Sequence, residues 1–230
     1  MQGQMDIHPW SVWHNPSFCN QIGGFFLPED PIERTIVDLE PWDLVRRDML
    51  ILLLRSIVER NIGGDLAELG VWKGSTAKLM HYYLPERSLH LFDTFTGFDK
   101  RDIESEKTIT GSKLDGHHFF SNTSVNKVMK YINPKNDNIA CYQGYFPDSI
   151  PAGFEKRRFA FVHLDMDLYE PTMAGLQYFY ELVIRGGFIV IHDYNAWPGA
   201  RKAVNEFFKD KKEIPVPMPD KSGSALVVKQ

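Results

Sequence analysis

The sequence predicts an α/β fold with a doubly wound, mostly parallel sheet that ends in an antiparallel hairpin. Short apolar runs alternate with helical patterns along most of the chain, which is typical of helices packed on a parallel sheet. One short helical stretch separates the apolar runs 159–164 and 186–191, so these two strands are expected to be parallel. The turn sequence 219–223 joins two further short apolar stretches and indicates the hairpin.

Composition limits the class of protein. A chain of 230 residues with 43% apolar residues suits one large domain, or one domain with a small appendage. The net charge of -4 gives no basic field for nucleic acid, and Cys19 and Cys141 match no zinc spacing or disulfide framework. The N-terminus lacks the pattern of a signal peptide, and the apolar run 49–58 is too short to span a membrane. We therefore expect a cytoplasmic protein.

The first 40 residues are rich in Trp, Phe, Pro and Gly and lack a clean period. We expect this arm either to cover the domain as a lid or to pair with another subunit in a homodimer or higher homo-oligomer. The alternative is an ordered arm without a function of its own. Residues 41–230 form the main domain, and apolar residues three and four apart predict its first helix over 41–60.

A strand over 65–71 leads into a glycine turn and a second helix, with the pattern Glu68-x-Gly70-x-x-x-Gly74. Gly70 allows a tight turn and lets a ligand approach the backbone. The start of the following helix offers free N–H groups. The next strand ends at Asp93, 25 positions beyond Glu68, close to the spacing at which an acidic residue binds a ribose diol.

Glu68 separates this pattern from the dinucleotide fingerprint, which has glycine at that position. A carboxylate there repels a pyrophosphate but accepts hydrogen bonds from an amino group. S-adenosylmethionine has an amino group and a ribose and lacks a phosphate, so it fits the pattern better. The alternative is an ordinary strand-to-helix turn with Asp93 as a helix cap.

The segment 96–121 interrupts the alternation, because it is polar, contains several glycines and carries His117 and His118. A long insertion at the carboxyl end of a strand predicts a mobile loop that binds substrate. Regular alternation then resumes up to the closing hairpin. The remaining elements are expected as a helix over 122–132, a strand over 138–145, a helix over 198–208 and strands over 213–216 and 225–228.

Acidic and imidazole side chains follow two neighbouring strands. Asp165 and Asp167 come after the first, and His192 and Asp193 come after the second. Parallel strands place these ends at one edge of the sheet, where open α/β sheets bind ligands. Clustered carboxylates raise each other's pKa unless a cation binds them, which favours Mg²⁺ or Mn²⁺ at this edge.

The chain contains the motifs Glu68–Gly74, Phe92–Phe98, Gln143–Pro151, Leu164–Thr172 and His192–Val204. These five motifs resemble the macrocin O-methyltransferase family of class I S-adenosylmethionine-dependent enzymes, and the resemblance covers roughly residues 60–210. It implies a Rossmann-like class I methyltransferase fold with seven strands. It also implies methylation of sugar hydroxyls in antibiotic biosynthesis, usually with magnesium, on a small-molecule sugar or glycoside. No nucleic acid or membrane is an expected partner.

The resemblance assigns roles to individual positions. It implies that Asp165, His192 and Asp193 bind the metal. The family usually has Asp-Asp-Tyr where this chain has His192-Asp193-Tyr194, so either His192 is a ligand to a softer metal or it orients a bound water. The residues implied for the cofactor are Glu68, Gly70, Ser75, Asp93, Thr94, Gly144, Tyr145 and Asp165.

The transfer needs a base for the proton of the acceptor hydroxyl. Asp167 is the first candidate, and His117 or His118 is the second. The alternatives are a helix N-cap or a structural carboxylate at Asp167, and a plain surface loop at the histidine pair. His163, inside a strand, is expected to be a core histidine bonded to backbone. Three rival functions stay open: methylation of a catechol or other diol, a nicotinamide-dependent oxidoreductase, and a cofactor-binding module without catalysis.

Overall fold

The computed structural model describes residues 43–116, 119–133 and 138–230. The expected N-terminal arm and the pair His117 and His118 lie outside the described residues. Among the helices described, none combines the length and the apolar character that crossing a membrane requires.

Helices and strands alternate through most of the chain, as the sequence predicts. The helices are α1 (Leu44–Glu59), α2 (Ser75–Tyr83), α3 (Lys100–Thr110), α4 (Val125–Ile132), α5 (Tyr169–Phe179) and α6 (Pro198–Phe207). The strands are β1 (Asp65–Leu69), β2 (Leu89–Asp93), β3 (Ile139–Gln143), β4 (Phe159–Leu164), β5 (Val183–Ile191), β6 (Val216–Pro217) and β7 (Ala225–Val228).

The seven strands form one sheet in the order β3-β2-β1-β4-β5-β7-β6. The first five are parallel, whereas β7 runs antiparallel to β5 and β6 runs antiparallel to β7. The predicted fold class, with its C-terminal hairpin, is therefore confirmed. The strand order reverses beside β1 and β4, and ligands of open α/β sheets bind outside the carboxyl ends at such a point.

Two apolar layers, one on each face, fix the sheet. Because side chains alternate across a strand, Leu66 packs on one face with α1 and α2 while Ala67 packs on the other with α5 and α6. All six residues of β4 are buried, as expected for a central parallel strand with helices on both sides.

The strand register sets the functional edge. Leu69 of β1 pairs with Phe92 of β2 and with Leu164 of β4, and Leu164 pairs in turn with Ile191 of β5. The four residues that follow these partners are therefore level with one another across the sheet. They are Gly70, Asp93, Asp165 and His192.

The segment 96–121 was expected to be a loop, and this is wrong for its middle, which forms α3. Asp99 caps α3 by accepting from the backbone N–H of Arg101, and Gly111 ends it with a φ of 72°. Few apolar residues face the core from α3, so no helical period was visible in the sequence. The strand expected over 213–216 is also shorter, because Pro215 and Pro217 lack the N–H groups that a longer ladder needs.

Glu213 holds the C-terminal edge together. Its carboxylate accepts from Lys229 Nζ at 3.2 Å, from the backbone N–H of Gln230 at 3.1 Å, and from the hydroxyl of Tyr180. The side chain is buried, so each of its oxygens has a partner where water is excluded. We call Glu213, Lys229 and Tyr180 the C-terminal clasp.

Candidate active site

A cavity of about 860 Å³ lies at the carboxyl ends of the parallel strands. The predicted site residues that the structure describes all line it. They are Glu68, Gly70, Ser75, Asp93, Thr94, Gly144, Tyr145, Asp165, Asp167, His192 and Asp193.

Gly70 is needed for a reason that the sequence did not show. Its φ is 80°, and a Cβ there would lie 1.8 Å from the backbone oxygen of Asp165. The close approach is therefore to the neighbouring strand end, in addition to any ligand in the cavity. Gly74 begins α2 with a φ of 85° and no side-chain cap, which leaves N–H groups of the first helical turn available.

Asp93 braces the glycine turn. Its Oδ2 accepts from the backbone N–H groups of Val71 at 2.7 Å and Trp72 at 2.8 Å, and its Oδ1 accepts from Phe95 at 2.6 Å. Burial raises the pKa of Asp93, although these hydrogen bonds act in the opposite direction. A carboxylate has about four lone-pair positions, so three bonds leave capacity for a ligand hydroxyl. The alternative of a plain helix cap is wrong, since these partners belong to loops.

Glu68 and His163 form a buried pair beneath the cavity. His163 Nδ1 lies 3.1 Å from Glu68 Oε1, and neither side chain is more than 2% exposed. Burial lowers the pKa of His163 to about 3, so the ring is neutral and donates from Nδ1. His163 is thus a core histidine as expected, but its partner is a carboxylate rather than the backbone.

His192 lies between two carboxylates. Its Nδ1 is 2.8 Å from Asp165 Oδ1 and 2.6 Å from Asp193 Oδ2. One ligand atom from each of these three residues lies within 4.8 Å of the others. The sequence prediction that this trio converges is therefore confirmed.

Arg46 completes this group, although nothing in the sequence predicted its presence here. Its Nη1 lies 2.9 Å from His192 Nε2 and 3.8 Å from Asp165 Oδ2. The residue is only 9% exposed, although it belongs to the first turn of α1. An arginine in an amphipathic helix ordinarily faces solvent, and this contact joins residues 146 positions apart. We call Arg46, Asp165, His192 and Asp193 the acidic cluster with its arginine.

The protonation of His192 follows from its contacts. Burial lowers the pKa of His192, but the Asp165 carboxylate outweighs burial and raises it to about 10. That rise favours a second proton on the ring, whereas the Arg46 contact needs a lone pair on Nε2, because two N–H groups cannot share a hydrogen bond. The contact decides the tautomer in this arrangement: Nδ1 donates to Asp165 and Nε2 accepts from Arg46.

These residues do not fit a divalent cation as they are arranged. Asp165 Oδ1 accepts from His192 Nδ1, Asp193 Oδ2 lies 2.6 Å from the same nitrogen, and the remaining nitrogen of His192 accepts from Arg46. A cation held about 2.1 Å from such atoms would lie within roughly 5 Å of the guanidinium. At an effective dielectric constant of about 20, the repulsion is about 7 kcal/mol.

Asp167 lines the cavity beside this cluster, with a φ of 60° that Asp tolerates better than most residues. Burial raises the pKa of Asp167 well above its ordinary value, and the charge of Asp165 and a hydrogen bond with Asp193 raise it further. Asp167 does not cap α5. The N–H of Tyr169 donates instead to Glu106 Oε2 at 2.9 Å, so the N-cap alternative is wrong.

The other end of the cavity contains a pair that sequence reasoning missed. Tyr145 donates from its hydroxyl to Asp102 Oδ1 at 2.8 Å, and the guanidinium of Arg101 lies 3.8 Å from the centre of the Tyr145 ring. Burial raises the pKa of Asp102 to about 6. Asp102 lies on α3, which the sequence did not reveal as a helix, so its position could not be predicted.

Aromatic side chains form the rim of the cavity. Phe98 contacts Phe120 and Trp197 at centroid distances of 5.5 and 5.8 Å, and Trp72 contacts Phe120 at 5.5 Å. Phe120 is 40% exposed and Trp72 is 37% exposed. We call these four residues the aromatic rim. Trp72, Trp197 and Tyr145 all line the cavity.

Known proteins resemble this chain in sequence. It is 28% identical over 172 residues to a Streptomyces olivaceus enzyme, 8-demethyl-8-(2,3-dimethoxy-alpha-L-rhamnosyl)-tetracenomycin-C 4'-O-methyltransferase, a match covering 71% of this chain and 65% of that protein. It is 29% identical over 167 residues to mycinamicin III 3''-O-methyltransferase of Micromonospora griseorubida, covering 67% and 64%. The chain thus spans a little under two thirds of the length of these curated relatives.

Solved structures share the fold. The O-methyltransferase NovP superposes with a TM-score of 0.68 at 22% identity, covering 81% of this chain and 80% of that one. CalS11, a calicheamicin methyltransferase, gives 0.62 at 18% identity, covering 88% and 95%. A family profile described as macrocin-O-methyltransferase (TylF) matches residues 45–227. This chain therefore belongs to the macrocin O-methyltransferase family.

Proposed function

We propose that the protein is an S-adenosylmethionine-dependent O-methyltransferase that acts on a hydroxyl of a sugar or sugar-containing natural product. The observation that carries the proposal is the row of Gly70, Asp93, Asp165 and His192, which the strand register brings to one cavity. Relatives named for methylation of a rhamnosyl group and of mycinamicin III support a glycosidic acceptor. The expected cytoplasmic location and homodimer stay predictions.

The residues present fit the methyl donor. Glu68 offers a carboxylate for its amino group, and Asp93 keeps capacity for a ribose hydroxyl. Gly144, with a φ of 144°, leaves backbone uncovered beside Tyr145 where the adenine is expected. S-adenosylmethionine, when bound, supplies a methyl group on a positively charged sulfur.

The chain's own residues then have to orient the acceptor and receive its proton. The oxygen of the acceptor gains a bond to the methyl carbon, whose bond to sulfur breaks, and it loses a proton to a base. Asp167 is our candidate for that base, because its carboxyl lines the cavity and its raised pKa makes its anion a stronger base. His117 and His118, outside the described residues, remain the second choice.

We assign no step to a metal ion. The expected Mg²⁺ or Mn²⁺ would compete with Arg46 for the atoms of Asp165 and His192. Orientation can supply much of the rate, since this displacement needs the acceptor oxygen in line with the methyl carbon and its leaving group.

The test combines binding with turnover. Calorimetry should detect S-adenosylhomocysteine binding, and mass spectrometry should detect a mass gain of one methyl on rhamnosyl glycosides, with catechol as the rival acceptor. A thermal-shift comparison with NADH separates the oxidoreductase alternative. Binding of NADH in preference to S-adenosylhomocysteine would reject the proposal. Cofactor binding without turnover on any diol would favour the non-catalytic module.

A further inference from the structure

We propose that Arg46 is the resident cation of the acidic cluster, so that methyl transfer in this protein requires no divalent metal ion. The inference rests on the proposed function and concerns the same cavity. Asp165, His192 and Asp193 have the side chains of a metal site. Their ligand atoms, however, already contact one another within the chain.

The first step is the position of His192. Its ring lies between the carboxylates of Asp165 and Asp193. Nδ1 is 2.8 Å from an oxygen of Asp165 and 2.6 Å from an oxygen of Asp193. The contact with Asp165 is a hydrogen bond and the contact with Asp193 is a close polar contact, so the imidazole occupies the space that a shared cation would take. The two carboxylates are therefore bridged by the imidazole itself.

The second step is the charge that Arg46 brings. Its Nη1 contacts His192 Nε2 at 2.9 Å and lies 3.8 Å from Asp165 Oδ2. A guanidinium stays protonated at every pH at which the protein is folded, and chelators cannot remove it. It places a permanent positive charge beside both the imidazole of His192 and the carboxylate of Asp165.

The third step is that Arg46 is held in place. Asp43 caps α1 by accepting from the backbone N–H of Arg46 at 3.1 Å. The other oxygen of Asp43 accepts from the backbone N–H of Lys221 at 2.9 Å, which ties the start of α1 to the C-terminal hairpin. The first turn of α1 is therefore anchored on two sides, and Arg46 is 9% exposed. A metal would have to displace a fixed group.

Arg46 is thus a positioning residue, which orients His192 and through it Asp165 and Asp193. A purely structural arginine would affect folding alone. The proposal further requires that removal of the guanidinium creates affinity for a divalent cation, which the unchanged protein lacks. Electron paramagnetic resonance detects Mn²⁺ binding and therefore tests this requirement without a measurement of turnover.

The first experiment uses the full chain without substitution. After EDTA treatment, methyl transfer from S-adenosylmethionine should be unchanged, and the Kd for Mn²⁺ should be weaker than about 1 mM. Loss of turnover with EDTA, restored by Mg²⁺ or Mn²⁺, would overturn the proposal. Absence of turnover under every condition would instead count against the proposed function, and the Mn²⁺ measurement would still decide this inference.

The second experiment changes the charge. Arg46→Met keeps most of the side-chain length and should lower kcat about 10- to 100-fold while producing measurable Mn²⁺ binding. Arg46→Lys retains the charge and should recover part of kcat without Mn²⁺ binding. Arg185→Met is the matched control, because Arg185 is exposed at the opposite end of the sheet. Arg46→Met with lower kcat and no gain of Mn²⁺ binding would contradict the proposal.

The third experiment covers the case in which Arg46→Met does not fold. His192→Asp removes the imidazole that lies between Asp165 and Asp193 and adds a carboxylate, which supplies a third oxygen ligand. This variant should bind Mn²⁺ at least about tenfold more tightly than the unchanged protein. Equal Mn²⁺ affinity in the two proteins would show that the imidazole of His192 does not exclude a metal.

Discussion

The acidic cluster with its arginine and the C-terminal clasp are both largely buried ionic networks, but they differ in how their carboxylates are paired. In the clasp, the single carboxylate of Glu213 receives donors from Lys229, Gln230 and Tyr180. In the acidic cluster, two carboxylates share one imidazole and one guanidinium, and the carboxyl of Asp167 lies alongside. A carboxylate whose two oxygens both have donors stabilises a fold. Several carboxyl groups beside a cavity are costly to bury, which indicates a functional role.

The largest expected effect is on turnover, at Asp165. Asp165→Asn removes the charge that holds His192 and should lower kcat about 100- to 1,000-fold, as loss of a group in a preorganised polar site does. The Kd for S-adenosylhomocysteine should stay within about tenfold, because Glu68 and Asp93 remain. Kinetics and calorimetry check both values, with the exposed Asp210→Asn as control. Full activity in Asp165→Asn would show that the acidic cluster, like the clasp, is not needed for turnover.

The clasp should show the opposite behaviour. Glu213→Ala leaves Lys229 without its carboxylate and should lower the free energy of unfolding by about 3 kcal/mol, with kcat unchanged at temperatures where it is folded. Urea denaturation measures the loss, and the exposed Glu181→Ala should be neutral. A clasp variant that lost turnover while keeping its stability would overturn the division between the two networks.

The clasp also predicts a pH dependence of stability. Burial raises the pKa of Glu213, but hydrogen bonds from Tyr180, Gln230 and Lys229 outweigh it and lower the pKa to about 2, against 4.5 when unfolded. The stabilisation is complete above pH 4.5 and disappears as the pH falls towards 2. Denaturation of the unchanged protein and of Glu213→Gln should therefore give curves that converge below pH 4.5.

A smaller effect concerns the pH profile of turnover. The raised pKa of Asp167 means that its base form increases as the pH rises, so kcat should rise by up to about tenfold per pH unit until the carboxyl has ionised. Asp167→Asn should abolish this rising limb along with most of the activity. A profile that is unchanged in Asp167→Asn would assign the base to another group.

The smallest effect is expected at the aromatic rim. Phe120 is 40% exposed and contacts Trp72 and Phe98 through ring edges. Phe120→Ala should raise KM for the acceptor a few-fold, about 1 kcal/mol, with little change in kcat or Tm. Steady-state kinetics checks this, and a change in kcat alone would place Phe120 with the acidic cluster rather than at the rim.

The comparison also shows what a sequence can predict. Strand ends are visible because buried apolar runs stop abruptly at Asp93, Asp165 and His192, and parallel pairing then brings them together. Arg46 and Asp102 were missed because their contacts join distant parts of the chain, and Asp102 also lies on a helix that the sequence did not reveal. The partner of His163 was also wrong, since a buried ring can bond to backbone or side chain and its sequence neighbours do not say which.

The strand register has a consequence for how this protein can change. Gly70, Asp93, Asp165 and His192 are level only because four strands are paired in one register. Inserting or deleting one residue inside β4 would turn Asp165 to the opposite face and shift its row, since side chains alternate with a period of two. The site can therefore diversify by exchange of single side chains, whereas changes in length are confined to the loops.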